Sequence, residues 1–215
     1  MERIICIVFG YIFGLFETGY IYGKFKNMDI REHGSGNAGS TNALRTFGKV
    51  GGLITLLGDV LKAVIPCVAV FYIFQGQGVE YAKLLQMYVG VGVILGHVFP
   101  FYLGFKGGKG IASTGGFLLV VNLPGAGIAF AVFLLLALTT KYVSLGSVVG
   151  LTVAFICQVV FGQMGMLGIS GSYLIENYVL MALVAILGIV KHKENIKRLL
   201  NGTENKLSFG SKKEA

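Results

Sequence analysis

Residues 111–140 read IASTGGFLLVVNLPGAGIAFAVFLLLALTT, and whether this uncharged stretch crosses a membrane once or twice decides the fold. Asn122-Leu123-Pro124-Gly125 divides it, because proline has no amide hydrogen and clashes with the preceding helical turn. The eleven residues before this break fall short of the ~20 that cross a bilayer.

Apolar runs also lie at 4–22, 50–74, 84–103, 143–161 and 173–190. Counting 111–121 and 125–140 separately gives seven. An apolar fraction of 54% and a mean hydropathy of +0.75, with only 13% charged residues, exclude an ordinary soluble globule. The expected fold is an all-α integral membrane protein of seven transmembrane helices with a short fourth span.

Charge placement chooses the orientation. With the N-terminus outside and seven crossings, the cytoplasm receives 24–49, 104–110, 141–142 and the tail, which together carry fifteen of the eighteen Lys and Arg. The positive-inside rule requires such a bias. Fusing the fourth and fifth spans would put Lys106 and Lys109 opposite the Lys-rich tail. The reading is therefore one polytopic domain over 1–215, with a basic cytoplasmic tail at 191–215, in a bacterial inner membrane.

The net charge of +8 is spent on orientation, which argues against nucleic acid as a partner. Cys6, Cys67 and Cys157 stand singly in apolar runs and suit neither a zinc site nor a disulfide framework. No metal and no cofactor is expected. The first run is too long for a signal-peptide core and reads as a retained span.

The chemistry gathers on the inner face. The loop GSGNAGSTNALR at 34–45 combines glycines, hydroxyls and amides with Arg45, which suits an anion cup: the glycines let successive N–H groups turn inward. Arg45 adds a planar, bidentate charge. Its Gly34-x-Gly36-x-x-Gly39 spacing lacks the βαβ setting of a dinucleotide site, and Ser40 stands where a phosphate-binding P-loop needs lysine. A flexible linker of turn formers would have the same composition.

The second inner loop, 104–110, places Lys106 and Lys109 among glycines just before a span whose helix N-terminus would favour anions. Ser144 and Ser147 follow Lys141. His192 and Asn195 are three apart, on one helical face, where the last span ends. Asp59 and Lys62 are spaced to pair inside the second span, and His97 reads as structural, its ring bonded to a backbone carbonyl. The sequence holds no G-x-S-x-G elbow, HExxH pair or His-x4-Asp, so the inner face suits electrostatic holding of phosphates without covalent catalysis.

Four blocks carry a resemblance that spans essentially the whole chain: GSGNAGSTNALR at 34–45, GHVFPFYLGFKGGKG at 96–110, YVSLGS at 142–147 and KHKENIKRLLNGTENK at 191–206. In order and spacing they resemble the PlsY family of bacterial acyl-phosphate:glycerol-3-phosphate acyltransferases. The departures at motif positions are conservative exchanges, such as Lys191 where arginine is common.

The resemblance implies transfer of a fatty acyl group from acyl phosphate to the 1-hydroxyl of glycerol 3-phosphate. The products are lysophosphatidic acid and inorganic phosphate. It implies no acyl-CoA or acyl-carrier-protein donor, no metal cofactor, and seven helices with the N-terminus outside. Carried over, Ser35, Asn37, Thr41 and Asn42 hold the acyl-phosphate head group. Arg45, Lys106, Ser144, His192 and Asn195 then bind glycerol 3-phosphate, with Lys106 preferred to Lys109 and Ser144 to Ser147. His192 and Asn195 form the catalytic pair.

Either His192 is a general base, or the phosphate of glycerol 3-phosphate takes the hydroxyl proton while His192 orients it. The second is favoured, because the nearby Glu194 points to another helical face. The chain is read as a monomer embedded in lipid, and a lipophilic donor makes direct delivery by an acyl-phosphate-producing enzyme plausible. The rival from another class is a transporter of a phosphorylated solute, which would need polar groups on both faces and a midplane site.

Overall fold

The structure, a computed structural model, describes residues 1–207, and the end of the expected tail, 208–215, lies outside the described residues. Among the described residues run nine α-helices: α1 (Glu2–Gly14), α2 (Thr18–Phe25), α3 (Ser40–Phe74), α4 (Val79–Val98), α5 (Ile111–Val121), α6 (Leu123–Thr140), α7 (Val143–Gln163), α8 (Gly171–Lys191) and α9 (Lys193–Leu200). Six segments are long and apolar enough to cross a membrane, with α1 and α2 counted together. The shorter α5 is only eleven residues, ~16 Å of helix against a ~30 Å hydrocarbon core.

Apolar side chains such as Leu57, Ile65, Leu135, Ile186 and Val190 stand exposed, the pattern of helices whose surroundings are lipid. The centre is α4, buried along most of its length by α1, α3, α5 and α8. Glycine lets α1 and α4 touch backbone to backbone. A Cβ on Gly10 or Gly14 would lie 2.1 or 2.2 Å from the carbonyl oxygens of Val89 and Val93, and one on Gly92 or Gly96 would lie 2.2 Å from those of Ile7 and Tyr11. The four-residue spacing on both helices is the small-residue interface of membrane helix pairs.

Two features depart from the sequence reading. The run 4–22 is broken at 15–17, where Glu17 is fully buried. Carbonyls freed by that break are met by side chains: Phe16 O accepts from Lys62 Nζ at 2.6 Å and Leu15 O from the Tyr102 hydroxyl at 2.7 Å. In α3, Gly48 adopts φ 74° and ψ −168°, so the helix is kinked where the polar loop gives way to the apolar run. The break between α5 and α6 falls at Asn122, whose Oδ1 accepts from Gly125 N at 3.0 Å and caps α6.

Candidate active site

The loop at 33–42 is built around one side chain. Asn42 Nδ2 donates to the carbonyls of Ile30, His33 and Asn37 at 3.1, 2.9 and 2.9 Å, while its Oδ1 accepts from Ser35 N at 2.8 Å. Asn42 therefore shapes the loop, and its amide hydrogens are engaged there and not offered to a phosphate. Asn37 Oδ1 turns back to Gly39 N at 3.0 Å. What the loop presents is the start of α3, with Gly39, Ser40 and Thr41 on the wall of a cavity of about 450 Å³.

Two more helix N-termini end on the same cavity: α5 through Gly110, Ile111 and Ala112, and α7 through Val143 and Ser144. Unbonded amide groups and the positive ends of three helix dipoles thus converge. Arg45, Lys109 and Arg198 add side-chain cations. Ser35, Asn37, Thr41, Asn42, Arg45, Lys109, Ser144, His192 and Asn195, expected from separate loops, all line this one space. Lys106 does not: it is exposed in the loop, and Lys109 is the lysine that enters. On this placement Lys109, not the Lys106 preferred from the resemblance, is the lysine positioned to meet a ligand, and an αL turn at Gly104 and Phe105 precedes Lys106.

Lys109 Nζ donates to Asn195 Oδ1, and burial pushes its pKa down to about 8. Asn195 Nδ2 donates to Glu204 Oε1 at 2.7 Å, which also accepts from Ser144 Oγ at 3.0 Å, while Arg198 Nε donates to Glu204 Oε2 at 2.8 Å. Burial alone would raise the Glu204 carboxyl; the three donors outweigh it and hold it below the usual carboxylate range. Glu204 and Arg198 were not singled out in the sequence. Glu204 stands in the 191–206 block, but spacing cannot reveal that the chain turns back after α9 and that Leu207 N bonds Lys141 O at 2.7 Å.

His192 sits between α8 and α9, and Asn195 in α9. The His192 Nδ1 lies 2.7 Å from Gly188 O, and burial pushes the imidazole down to about 4. His97, read as bonded to a carbonyl, instead has Nδ1 at 3.0 Å from Glu17 Oε1 and 2.7 Å from Lys62 Nζ. Asp59 and Lys62 do pair, at 3.0 Å.

The cavity changes character with depth. Below the polar end its walls are Leu57, Val60, Leu118, Ala129, Phe133 and Leu151, with Ala154 the last contributor from α7. One turn on, buried Gln158 accepts from Asn122 Nδ2 at 2.9 Å and donates to Asn177 Oδ1 at 2.8 Å. Exposed Leu57, Leu119 and Phe130 open the apolar part sideways. Such a cavity suits a molecule with an anionic head and a hydrocarbon tail.

Among the described residues no group of three His, Cys, Asp or Glu could hold a metal ion. A family profile described as glycerol-3-phosphate acyltransferase matches residues 4–202. A glycerol-3-phosphate acyltransferase of Clostridioides difficile is 45% identical over 98% of this chain and 97% of its own length, and one of Alkaliphilus metalliredigens is 39% identical over 96% and 97%. The crystal structure of PlsY (YgiH), an integral membrane glycerol 3-phosphate acyltransferase in its glycerol 3-phosphate form, superposes with a TM-score of 0.83 at 31% identity, covering 97% of this chain and 96% of that one. Its lysophosphatidic acid form gives 0.81, covering 97% of each. This chain is a multi-pass membrane protein and belongs to the glycerol-3-phosphate acyltransferase family.

Proposed function

We propose that this protein transfers a fatty acyl group from acyl phosphate to the 1-hydroxyl of glycerol 3-phosphate, forming lysophosphatidic acid and inorganic phosphate. The observation that carries the reading is the convergence of three helix N-termini with Arg45, Lys109 and Arg198 at the head of an apolar groove. The glycerol 3-phosphate and lysophosphatidic acid forms of the similar PlsY structures support the same substrate and product here.

In the reaction the hydroxyl oxygen attacks the acyl carbonyl carbon, and the carbonyl–O(phosphate) bond breaks with its electron pair leaving on phosphate. Phosphate is a good leaving group, so positioning and charge neutralisation suffice without a covalent enzyme intermediate. The α3 N-terminus with Ser35 and Thr41 holds the donor head group. Arg45, Lys109, Ser144 and Asn195 hold glycerol 3-phosphate.

A carbonyl only accepts, so Nδ1 of His192 carries its proton toward Gly188 O, and Nε2 is left as an acceptor. An imidazole held down to about 4 is a weak base, whereas a phosphomonoester has its second pKa near ~6. The hydroxyl proton therefore goes to the substrate's own phosphate, and His192 Nε2 orients the molecule by accepting from its other hydroxyl, on carbon 2. The protein works as a single domain in a bacterial inner membrane with its N-terminus outside, its site facing the cytoplasm and α5 as the short fourth of seven crossings. Charge placement supports that topology.

The test supplies purified, detergent-solubilised protein with labelled glycerol 3-phosphate and, in parallel, acyl phosphate, acyl-CoA or acyl-carrier protein. Product from acyl phosphate alone, lost in Arg45→Ala, is the expected result. No product from any donor would favour transport and call for a liposome uptake assay.

A further inference from the structure

Four ionisable side chains from three separate segments meet beside the cavity, and the acyl-transfer chemistry uses none of them. Glu17, Asp59, Lys62 and His97 are 0%, 1%, 6% and 2% exposed. Lys62 Nζ lies 3.0 Å from Asp59 Oδ1, 2.7 Å from His97 Nδ1 and 2.6 Å from Phe16 O, and His97 Nδ1 lies 3.0 Å from Glu17 Oε1. Thr18 Oγ1 donates to Asp59 Oδ1 at 3.2 Å. Taking four such groups out of water is costly, and apolar side chains would pack these helices with less penalty.

The cluster touches the 104–110 loop directly and reaches the 33–42 loop through α2. On one side, the backbone of His97 accepts from Gly108 N at 3.1 Å and that of Val98 accepts from Gly107 N at 3.3 Å. The ring lies directly under the loop, since a Cβ on Gly108 would be 2.1 Å from His97 Nε2. Lys109 follows at once. On the other side, the break that Lys62 holds through Phe16 O leads into α2, and α2 abuts the first loop so closely that a Cβ on Gly19 would be 2.1 Å from Ala38 O. Asp59 and His97 themselves reach the cavity wall.

We propose that Glu17, Asp59, Lys62 and His97 are positioning residues that lock the 33–42 loop and the 104–110 loop in register around the substrate phosphates. The proposal rests on the reading of those loops as phosphate holders. It predicts an effect on glycerol 3-phosphate affinity that exceeds any effect on the fold.

The experiment measures KM for glycerol 3-phosphate, kcat and Tm for the purified full chain. Glu17→Gln keeps shape and leaves Lys62 paired with Asp59; KM is expected to rise at least about tenfold, with a smaller change in kcat and Tm. Lys62→Met strands two carboxylates and should lower Tm as well. The charge-balanced Asp59→Asn/Lys62→Met double variant should recover Tm without recovering KM. Glu176→Gln, in an ion pair with Arg3 remote from the cavity, should leave KM unchanged.

Wild-type KM in both Glu17→Gln and the double variant would overturn the proposal and make the cluster a packing device. If the single variants do not fold, the double variant decides. If wild-type protein transfers nothing, the reaction reading fails separately. Protection of the same variants against heat by inorganic phosphate then decides: weaker protection supports the coupling, and equal protection overturns it.

Discussion

The Nδ1 of His192 lies 2.7 Å from the carbonyl oxygen of Gly188, one turn back in α8. That contact fixes the tautomer, presents Nε2 as an acceptor, and leaves the ring neutral in its buried setting. His192→Ala is expected to weaken glycerol 3-phosphate binding and turnover together, by an order of magnitude or more. Loss of turnover with unchanged affinity would instead identify His192 as the general base.

The same histidine makes a pH prediction for stability. Its folded pKa, about 4, is below the unfolded value of 6.5, so between these values the unfolded chain binds more protons. The native state is penalised progressively as pH falls from 6.5 toward 4. Thermal unfolding should show this acid sensitivity, and His192→Asn should reduce it.

Lys109 should govern the alkaline side. With its pKa pushed down to about 8, it loses charge where an exposed lysine keeps it, so KM for glycerol 3-phosphate should rise as pH passes 8. Lys109→Met should raise KM about tenfold or more and remove that pH dependence. Lys106→Met, on the exposed side of the same loop, should change KM less than threefold.

Glu204 ties Ser144, Asn195 and Arg198 together with one carboxylate. Glu204→Gln keeps the shape but weakens each charge-assisted bond and should lower kcat/KM at least about tenfold. A wild-type value would mean that the return of the chain after α9 does not hold the site.

If the groove holds the acyl chain, its floor should limit the chain's length. From Ser144 to Ala154 along α7 is ~15 Å, about one leaflet of a ~30 Å hydrocarbon core. Ala154→Phe should fill the deep end above Gln158 and shift the preference toward shorter acyl phosphates. An unchanged chain-length profile would mean that the tail leaves sideways past Leu119 and Phe130.

Much of this molecule could be read locally. Lipid leaves the backbone no partner but itself, so apolar runs declare helices, and residues 122–125 show where one ends. The four polar blocks identified the family by type and spacing, and the comparisons agree. Glu17 was not legible, because one acid near the end of an apolar run looks the same whether the helix continues or breaks.

The sequence by itself determined the solvent of this protein, the helices that solvent enforces and the blocks that mark its family, because each depends on residues near one another in the chain. Tertiary structure alone decided that three helix N-termini share one cavity, that Lys109 and not Lys106 enters it, and that Glu204 closes over Asn195. Those outcomes come from helix packing, in which glycine contacts such as Gly96 against Tyr11 set how closely distant segments approach. No local pattern encodes where two packed surfaces aim the loops between them.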